Sequence, residues 1–199
     1  MRRIEKATNS KIVEQNLLYK ENGDNRKLAE LLRVEQLNLC AYTEVYLGRA
    51  LKAEIDHFNP LPEFKERNEY NNLFLCNAVW NNEKSNKWNK YQPILHPTSS
   101  ELEQRIAYFN GNYYAKDEND IESKNLIKLI KLDDFKLAND RKKYIQRIKI
   151  HSESSNKSIQ EFLVWSIKEQ IETVYFLRAI QEEFGVDVEK MLREDVDII

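Results

Sequence analysis

The stretch AEIDHFNP at residues 53–60, together with NNLFLCNAVWNNEK at residues 71–84, decides the fold that this sequence predicts. The first stretch resembles a short strand, and Pro60 ends it because proline cannot continue a β ladder. The second stretch gives a short apolar run and then a polar helix over residues 81–90. We therefore expect a strand, a loop over 61–70, an apolar run and a helix, in that order.

The regions on either side of this stretch are predominantly helical in pattern. Residues 1–39 form the predicted N-terminal helical region, with helices over 9–20 and 25–38. Residues 40–92 form the core, and residues 93–199 form the C-terminal helical region. The predicted fold class is therefore α+β and mostly helical, with a small core between two helical regions.

Several local signals divide the C-terminal region. Residues 101–109 are predicted as a short helix followed by a turn at Asn110-Gly111-Asn112. The apolar run 126–132 is compatible with either a helix or a strand. Asp133-Asp134 predicts the cap of the next helix. A last long helix over 159–184 ends before Gly185, and its apolar stripe faces either the core or a partner.

The overall composition limits the classes of function. The 199 residues carry a formal net charge of −2, so the chain lacks the basic excess of a protein that holds long stretches of phosphate. If nucleic acid is the substrate, the basic surface is local or a partner supplies it. The sequence has no apolar run of membrane-spanning length, no secretory signal and only two cysteines, so a cytoplasmic protein with reduced thiols is expected.

Asp56 and His57 are the residues whose side chains are best suited to metal binding and catalysis. A carboxylate oxygen suits a hard cation such as Mg²⁺ or Mn²⁺, and an imidazole suits proton abstraction from water. Neighbouring side chains on a strand face opposite sides, although a bulge or a strand end can bring them to one site. An Asp-His pair by itself is more often structural than catalytic. His96 and His151 lack a carboxylate neighbour and are expected to be structural or exposed.

Two asparagines downstream strengthen the interpretation of this pair. Asn72 follows His57 by 15 residues, and Asn81 follows nine residues later. An asparagine oxygen is a neutral ligand for Mg²⁺, and an asparagine in the loop can hold the backbone near the histidine. Further along, Lys84, Lys87 and Lys90 lie at a spacing of three residues. They predict either a solvated helix face or a stripe that contacts phosphate.

Taken together, Asp56-His57, Asn72-Leu73 and Asn81-x-x-Lys84 resemble the motif of HNH endonucleases, which have a ββα-metal core. The resemblance extends to HNH proteins of retron and Septu-type antiphage systems (PtuB-like), through the stretches around Glu35–Glu44 and Leu129–Arg141. It implies Asp56 as metal ligand, His57 as general base, Asn72 as loop organiser and Asn81 as second metal ligand. It also implies a PtuA-like ABC-type ATPase partner, a nucleic-acid substrate and, in some systems, a retron reverse transcriptase with its RNA–DNA product.

The sequence departs from these relatives at a structural zinc site. The relatives often carry two Cys-x-x-Cys pairs, whereas here Cys40 and Cys76 lack their mates. Two cysteines cannot form a tetrahedral site, so structural zinc is not expected, and packing around Tyr42, Val79 and Trp80 is predicted to replace it. The expected function is a metal-dependent nuclease subunit of an antiphage system. The alternatives are a catalytically degenerate module that binds nucleic acid or a partner, and a free-standing nuclease, which the acidic balance disfavours.

Overall fold

The structure, a computed structural model, describes residues 1–61 and 63–196 and has an α+β fold in which helices predominate. Three residues of the predicted C-terminal region, 197–199, lie outside the described residues. The α-helices are α1 (Lys11–Glu14), α2 (Arg26–Glu35), α3 (Ala78–Lys84), α4 (Leu102–Arg105), α5 (Ile121–Leu129), α6 (Phe135–Ser154), α7 (Ile159–Glu169), α8 (Leu177–Phe184) and α9 (Val188–Val196). The strands are β1 (Ala53–His57), β2 (Leu73–Asn77), β3 (Ile106–Phe109) and β4 (Asn112–Ala115).

The strands form two separate antiparallel hairpins. In the first, β1 pairs with β2 in a continuous register that runs from Ala53 opposite Asn77 to His57 opposite Leu73. The predicted strand at residues 53–58 is confirmed, and the apolar run after Asn72 is its partner. Four consecutive residues of β2, Leu73 to Cys76, are buried, which places this strand in the core.

The outer edge of β2 is closed by side-chain and loop contacts. The amide of Gln36, just after α2, both donates to the Leu75 carbonyl and accepts from its N–H, at 2.7 and 2.9 Å. The Ala41 N–H donates to the same carbonyl at 3.0 Å. The polar backbone groups of a buried strand edge need hydrogen-bond partners. These contacts supply partners for the Leu75 N–H and carbonyl of β2 without a third strand.

Helix α3 follows β2 directly and packs against both strands of the first hairpin. It ends at Lys84, and the chain continues as a 3₁₀ helix over Ser85–Tyr91. The single polar helix predicted over 81–90 is thus two shorter elements. The order strand, loop, strand, helix agrees with the predicted order.

The second hairpin corrects one prediction. Residues 101–109 are helical only over α4, and β3 begins at Ile106. Its buried residues Ile106 and Tyr108 alternate with exposed neighbours, which is the period of a strand. The Asn110-Gly111 turn is confirmed, and it joins β3 to β4.

Two other predicted helices differ in extent. The helix predicted over 9–20 is reduced to α1. The long helix predicted over 159–184 is interrupted: α7 ends at Glu169, a 3₁₀ turn covers Ile171–Thr173, and α8 begins after Phe176, which has a φ of 54°. Gly185 ends α8 in the left-handed conformation, as predicted. In the part of the chain that the structure describes, no helix has the length and apolar character to cross a membrane.

Candidate active site

His57 is the last residue of β1 and is held from two directions. Its Nε2 lies 3.0 Å from Oδ1 of Asn68, and the Tyr19 ring meets the imidazole edge-on at a centroid distance of 4.5 Å. With Asn68 Oδ1 as the acceptor, Nε2 carries the proton and Nδ1 keeps the lone pair. The Tyr19 N–H donates to the Asn68 carbonyl, so the three residues form one unit.

Partial burial lowers the pKa of His57 from its usual value, and the hydrogen bond to Asn68 opposes that shift. This shift favours the neutral imidazole. A neutral imidazole whose orientation is fixed has the protonation state that a general base requires. Tyr19 and Asn68 were not identified from the sequence. Tyr19 lies well before the motif, Asn68 lies in the loop whose residues the motif does not specify, and only tertiary contact brings them to His57.

Asn72 closes the loop between the two strands. Its Oδ1 accepts from the Asn59 N–H at 2.8 Å, and its Nδ2 donates to the carbonyls of Asn59 and Arg67 at 3.0 and 2.8 Å. Its own carbonyl accepts from the Phe58 N–H at 2.8 Å. The Asn72 side chain is buried, so these hydrogen bonds fix the backbone just after His57.

Asp56 lies on the opposite side of β1 from His57. The two strands contain no bulge along their shared register, so the alternation of side chains holds at this position. The Asp56 carboxylate accepts a hydrogen bond from the Tyr42 hydroxyl and lies 2.7 Å from the Lys84 ammonium. Burial raises the pKa of Asp56 and lowers that of Lys84, and the attraction within the pair opposes both shifts.

Lys84 is a buried residue and does not belong to a surface stripe. Its ammonium donates to the carbonyls of His57 and Phe58, in addition to its contact with Asp56. The predicted surface position is therefore wrong for Lys84, which is buried and paired with Asp56, whereas the phosphate stripe stays a prediction for Lys87 and Lys90. Lys87 pairs with Glu83 at 3.2 Å, and Lys90 lies over the Tyr91 ring.

Asn81 reaches β1 from α3, at a different residue from the one predicted. Its Nδ2 donates to Oε2 of Glu54 at 3.0 Å. Glu54 and Asp56 are two residues apart, so they share one side of β1. The Lys52 ammonium and the Asn81 amide lower the pKa of Glu54. The sequence motif had not indicated Glu54.

The residues predicted to replace a zinc site differ in their burial. Tyr42 is fully buried, and the Trp80 indole N–H donates to the Ile130 carbonyl at 3.1 Å. Val79, by contrast, is 59% exposed, so its predicted packing role is wrong. Cys40 and Cys76 are both buried as free thiols, and the Cys40 sulfur accepts from the Asn77 N–H at 3.4 Å.

The described residues contain no group of three or more histidine, cysteine, aspartate or glutamate side chains arranged around a metal position. Asp56, Glu54 and Asn81 nevertheless supply carboxylate and amide oxygens from one side of β1 and from the helix that covers it. These are the donor types that Mg²⁺ and Mn²⁺ prefer, so the donor chemistry fits such an ion. The positive charge next to the Asp56 carboxylate is the Lys84 ammonium.

No family model, curated protein or solved structure matches this chain. The case for a function therefore depends on the geometry described above.

Proposed function

We propose that this chain is a metal-dependent endonuclease of the HNH type. The observation that carries the proposal is the set of hydrogen bonds from the Asn72 side chain to Asn59 and Arg67, here called the Asn72 clamp. The clamp fixes the backbone after His57 within a strand–loop–strand–helix unit. In this combination, a histidine, an asparagine that organises the loop and a helix asparagine follow one another in the order that the HNH resemblance implies. Tyr19 and Asn68 support the same role for His57, because they leave Nδ1 as its basic nitrogen.

In this proposal, His57 removes a proton from the water that attacks a phosphodiester bond. The residues that the resemblance implies as metal ligands are Asp56 and Asn81. For Asp56 to act beside His57, its carboxylate would have to leave Lys84 and turn toward the His57 side of the strand. When bound there, Mg²⁺ or Mn²⁺ would polarise the phosphate as a Lewis acid. Asn72 acts as a positioning residue, since it contacts the backbone of the loop rather than the substrate.

The test is cleavage of single- and double-stranded DNA and of RNA with Mg²⁺ or Mn²⁺. We expect His57→Ala and Asn81→Ala to remove cleavage. Asn82→Ala is the matched control, since Asn82 is the exposed neighbour of Asn81. Equal cleavage by His57→Ala and the unmodified protein would refute the proposed role of His57.

The wider setting belongs to the same proposal. We propose that the chain acts in the cytoplasm as the nuclease subunit of an antiphage system, beside a PtuA-like ABC-type ATPase. In a retron system, the reverse transcriptase and its RNA–DNA product would be further partners. The assay above is therefore run with and without a co-expressed ATPase, because a requirement for the partner would appear as cleavage only in its presence.

One observation favours a second candidate, a catalytically degenerate module that binds nucleic acid or a partner. The Asp56 carboxylate is already neutralised by Lys84 and bonded by Tyr42. A divalent ion would have to displace the Lys84 ammonium, so it gains little at Asp56. A protein that binds nucleic acid but shows the same absence of cleavage with and without His57 would support this candidate.

A further inference from the structure

A cavity of about 700 Å³ lies in the C-terminal helical region, between α6, α7 and the 3₁₀ turn that follows α7. Its volume is within the range of small-molecule sites. None of the residues proposed for phosphodiester cleavage lines it. The cavity therefore requires an explanation of its own.

Aromatic rings form much of the cavity wall. Phe162 and Trp165, both on α7, have ring centroids 5.8 Å apart and planes inclined by 31°. The His151 ring lies nearly parallel to Phe162, and Tyr175 also lines the cavity. Trp165 is 40% exposed, so a large part of its surface is available to a ligand. Exposed aromatic faces of this kind stack on planar heteroaromatic rings.

The charged groups that line the cavity favour an anion. Arg147 and Lys157 are basic, and Glu172 is the one acid among the described lining residues. Neither Arg147 nor Lys157 has a salt-bridge or side-chain hydrogen-bond partner within the described chain. The cavity thus presents two exposed cations that form no ion pair with an acid among the described residues.

The helix that carries Arg147 is itself basic. Residues 135–154 contain six lysines and arginines and two acids. Lys143 and Arg147 are four residues apart, so they lie on one face of α6, one turn apart. The face of α6 that carries Lys143 and Arg147 supplies a local basic surface despite the overall charge of −2.

Some polar side chains of the cavity wall form hydrogen bonds within the protein, and one is exposed. The hydroxyls of Ser155 and Ser166 donate to backbone carbonyls of their own helices. The Gln170 side chain, at the end of α7, lies in the cavity lining and is exposed. An amide at the edge of an aromatic platform is suited to the donor and acceptor atoms of a nucleobase.

From these observations we infer that the cavity binds a nucleobase together with its phosphate. Trp165 and Phe162 stack on the base, and Arg147 and Lys157 contact the phosphate. The ligand is either one unit of a single-stranded nucleic acid or a free mononucleotide, because both present the same chemistry. The inference does not depend on cleavage and would hold for a catalytically inactive chain.

Binding is measured on the full chain in EDTA, so that no divalent ion supports cleavage. A fluorescein-labelled oligothymidylate tests the single strand by anisotropy, and AMP tests the mononucleotide by calorimetry. Binding of either probe supports the inference, and the probe that binds identifies the source. If neither binds to the folded protein, the inference is overturned, and the cavity becomes a candidate for docking a protein.

Variants assign the binding to this cavity. Trp165→Ala is expected to weaken binding about tenfold, whereas Trp165→Phe retains most of it because a ring remains. Val164→Ala, at the exposed neighbour, is the matched control. Arg147→Gln with Lys157→Gln is expected to weaken binding at least about tenfold at low salt and to reduce its salt dependence. Lys142→Gln, on another face of α6, should leave binding unchanged.

Circular dichroism melting confirms that each variant is folded. If Trp165→Ala and the double charge variant bind as well as their controls, the cavity is not the site and the inference fails. Loss of cleavage in His57→Ala with unchanged oligonucleotide binding would show that the two sites are separate.

Discussion

The Lys84 ammonium lies 2.7 Å from the Asp56 carboxylate, and the two side chains are 2% and 5% exposed. The pair connects the end of α3 to the middle of the first hairpin. Lys84 also donates to the backbone carbonyls of His57, the last residue of β1, and of Phe58 just after it. A single side chain therefore stabilises a buried charge and the backbone after the strand.

Lys84→Met should destabilise the protein by about 3 kcal/mol, because it leaves the Asp56 carboxylate buried without its counter-charge. Urea unfolding measures this change. Lys87→Met, at a more exposed pair, is the control and should have a small effect. Adding Asp56→Asn to Lys84→Met should restore part of the loss. A Lys84→Met protein as stable as the unmodified one would contradict the buried pair.

Lys84→Gln should raise the affinity for Mn²⁺, if Asp56 is a metal ligand as proposed. The amide keeps a donor for the carbonyls of His57 and Phe58 and removes the competing charge. Electron paramagnetic resonance of free Mn²⁺ measures the affinity without any cleavage. Asp56→Asn in the same background should reverse the gain. Equal affinity in all three proteins would exclude Asp56 as a ligand.

Asn72→Ala should loosen the loop after His57. The change removes three hydrogen bonds of a buried side chain, which corresponds to roughly 2–3 kcal/mol of stability. Hydrogen exchange at the Asn59 amide, which donates to Asn72, should become faster than in the unmodified protein. Asn71→Ala is the matched control, because Asn71 is exposed. An unchanged exchange rate at Asn59 would argue against the clamp.

Acidification should destabilise the protein through His96. Burial, with a smaller contribution from Lys6, lowers the pKa of His96 to about 4. Because the folded state resists protonation, the unfolded state binds more protons between pH 4 and about 6.5. The His96 contribution is therefore complete above about pH 6.5 and decreases as the pH falls toward 4.

The measurement is the urea midpoint as a function of pH. His96→Asn should flatten its slope between pH 6.5 and 4, whereas His151→Asn, at an exposed histidine, should keep it. A slope that is the same in the unmodified protein and in His96→Asn would contradict the assignment.

Two glycines provide a matched pair for backbone strain. Both have a positive φ, 85° at Gly111 and 69° at Gly185. A Cβ at Gly111 would lie 2.3 Å from the Ala138 carbonyl oxygen, whereas a Cβ at Gly185 would have no atom within 4 Å. Gly185→Ala should cost about 1 kcal/mol from strain alone, and Gly111→Ala should cost more. Thermal melting compares them, and the reverse order would be inconsistent with this structure.

Local signals predicted some features well. Asp134 caps α6 by accepting from the Leu137 N–H at 2.9 Å, and Gly185 ends α8. Both depend on residues close in sequence, and such contacts are visible in the pattern. The strand at 53–58 was predictable for the same reason, since Pro60 marks its end.

Other features depended on distant contacts. The hairpin of β3 and β4 was predicted in part as helix, because the alternation of Ile106 and Tyr108 spans too few residues to outweigh its helical surroundings. Lys84 was predicted on the surface because a lysine is rarely buried, and its partner lies 28 positions earlier. For the candidate site, the sequence identified His57 and Asn72, but Tyr19 and Asn68 required the folded chain.

Because of the Asn72 clamp, the geometry of β1 and β2 does not depend on the length of the loop that joins them. Asn59 and Arg67 are both hydrogen-bonded to the Asn72 side chain, so this side chain holds together the two ends of the segment between them. The loop entropy of a longer connection grows slowly with length. An inserted reporter peptide between Phe64 and Lys65 would therefore leave His57 in place, which makes this position an attachment point for a label next to the site.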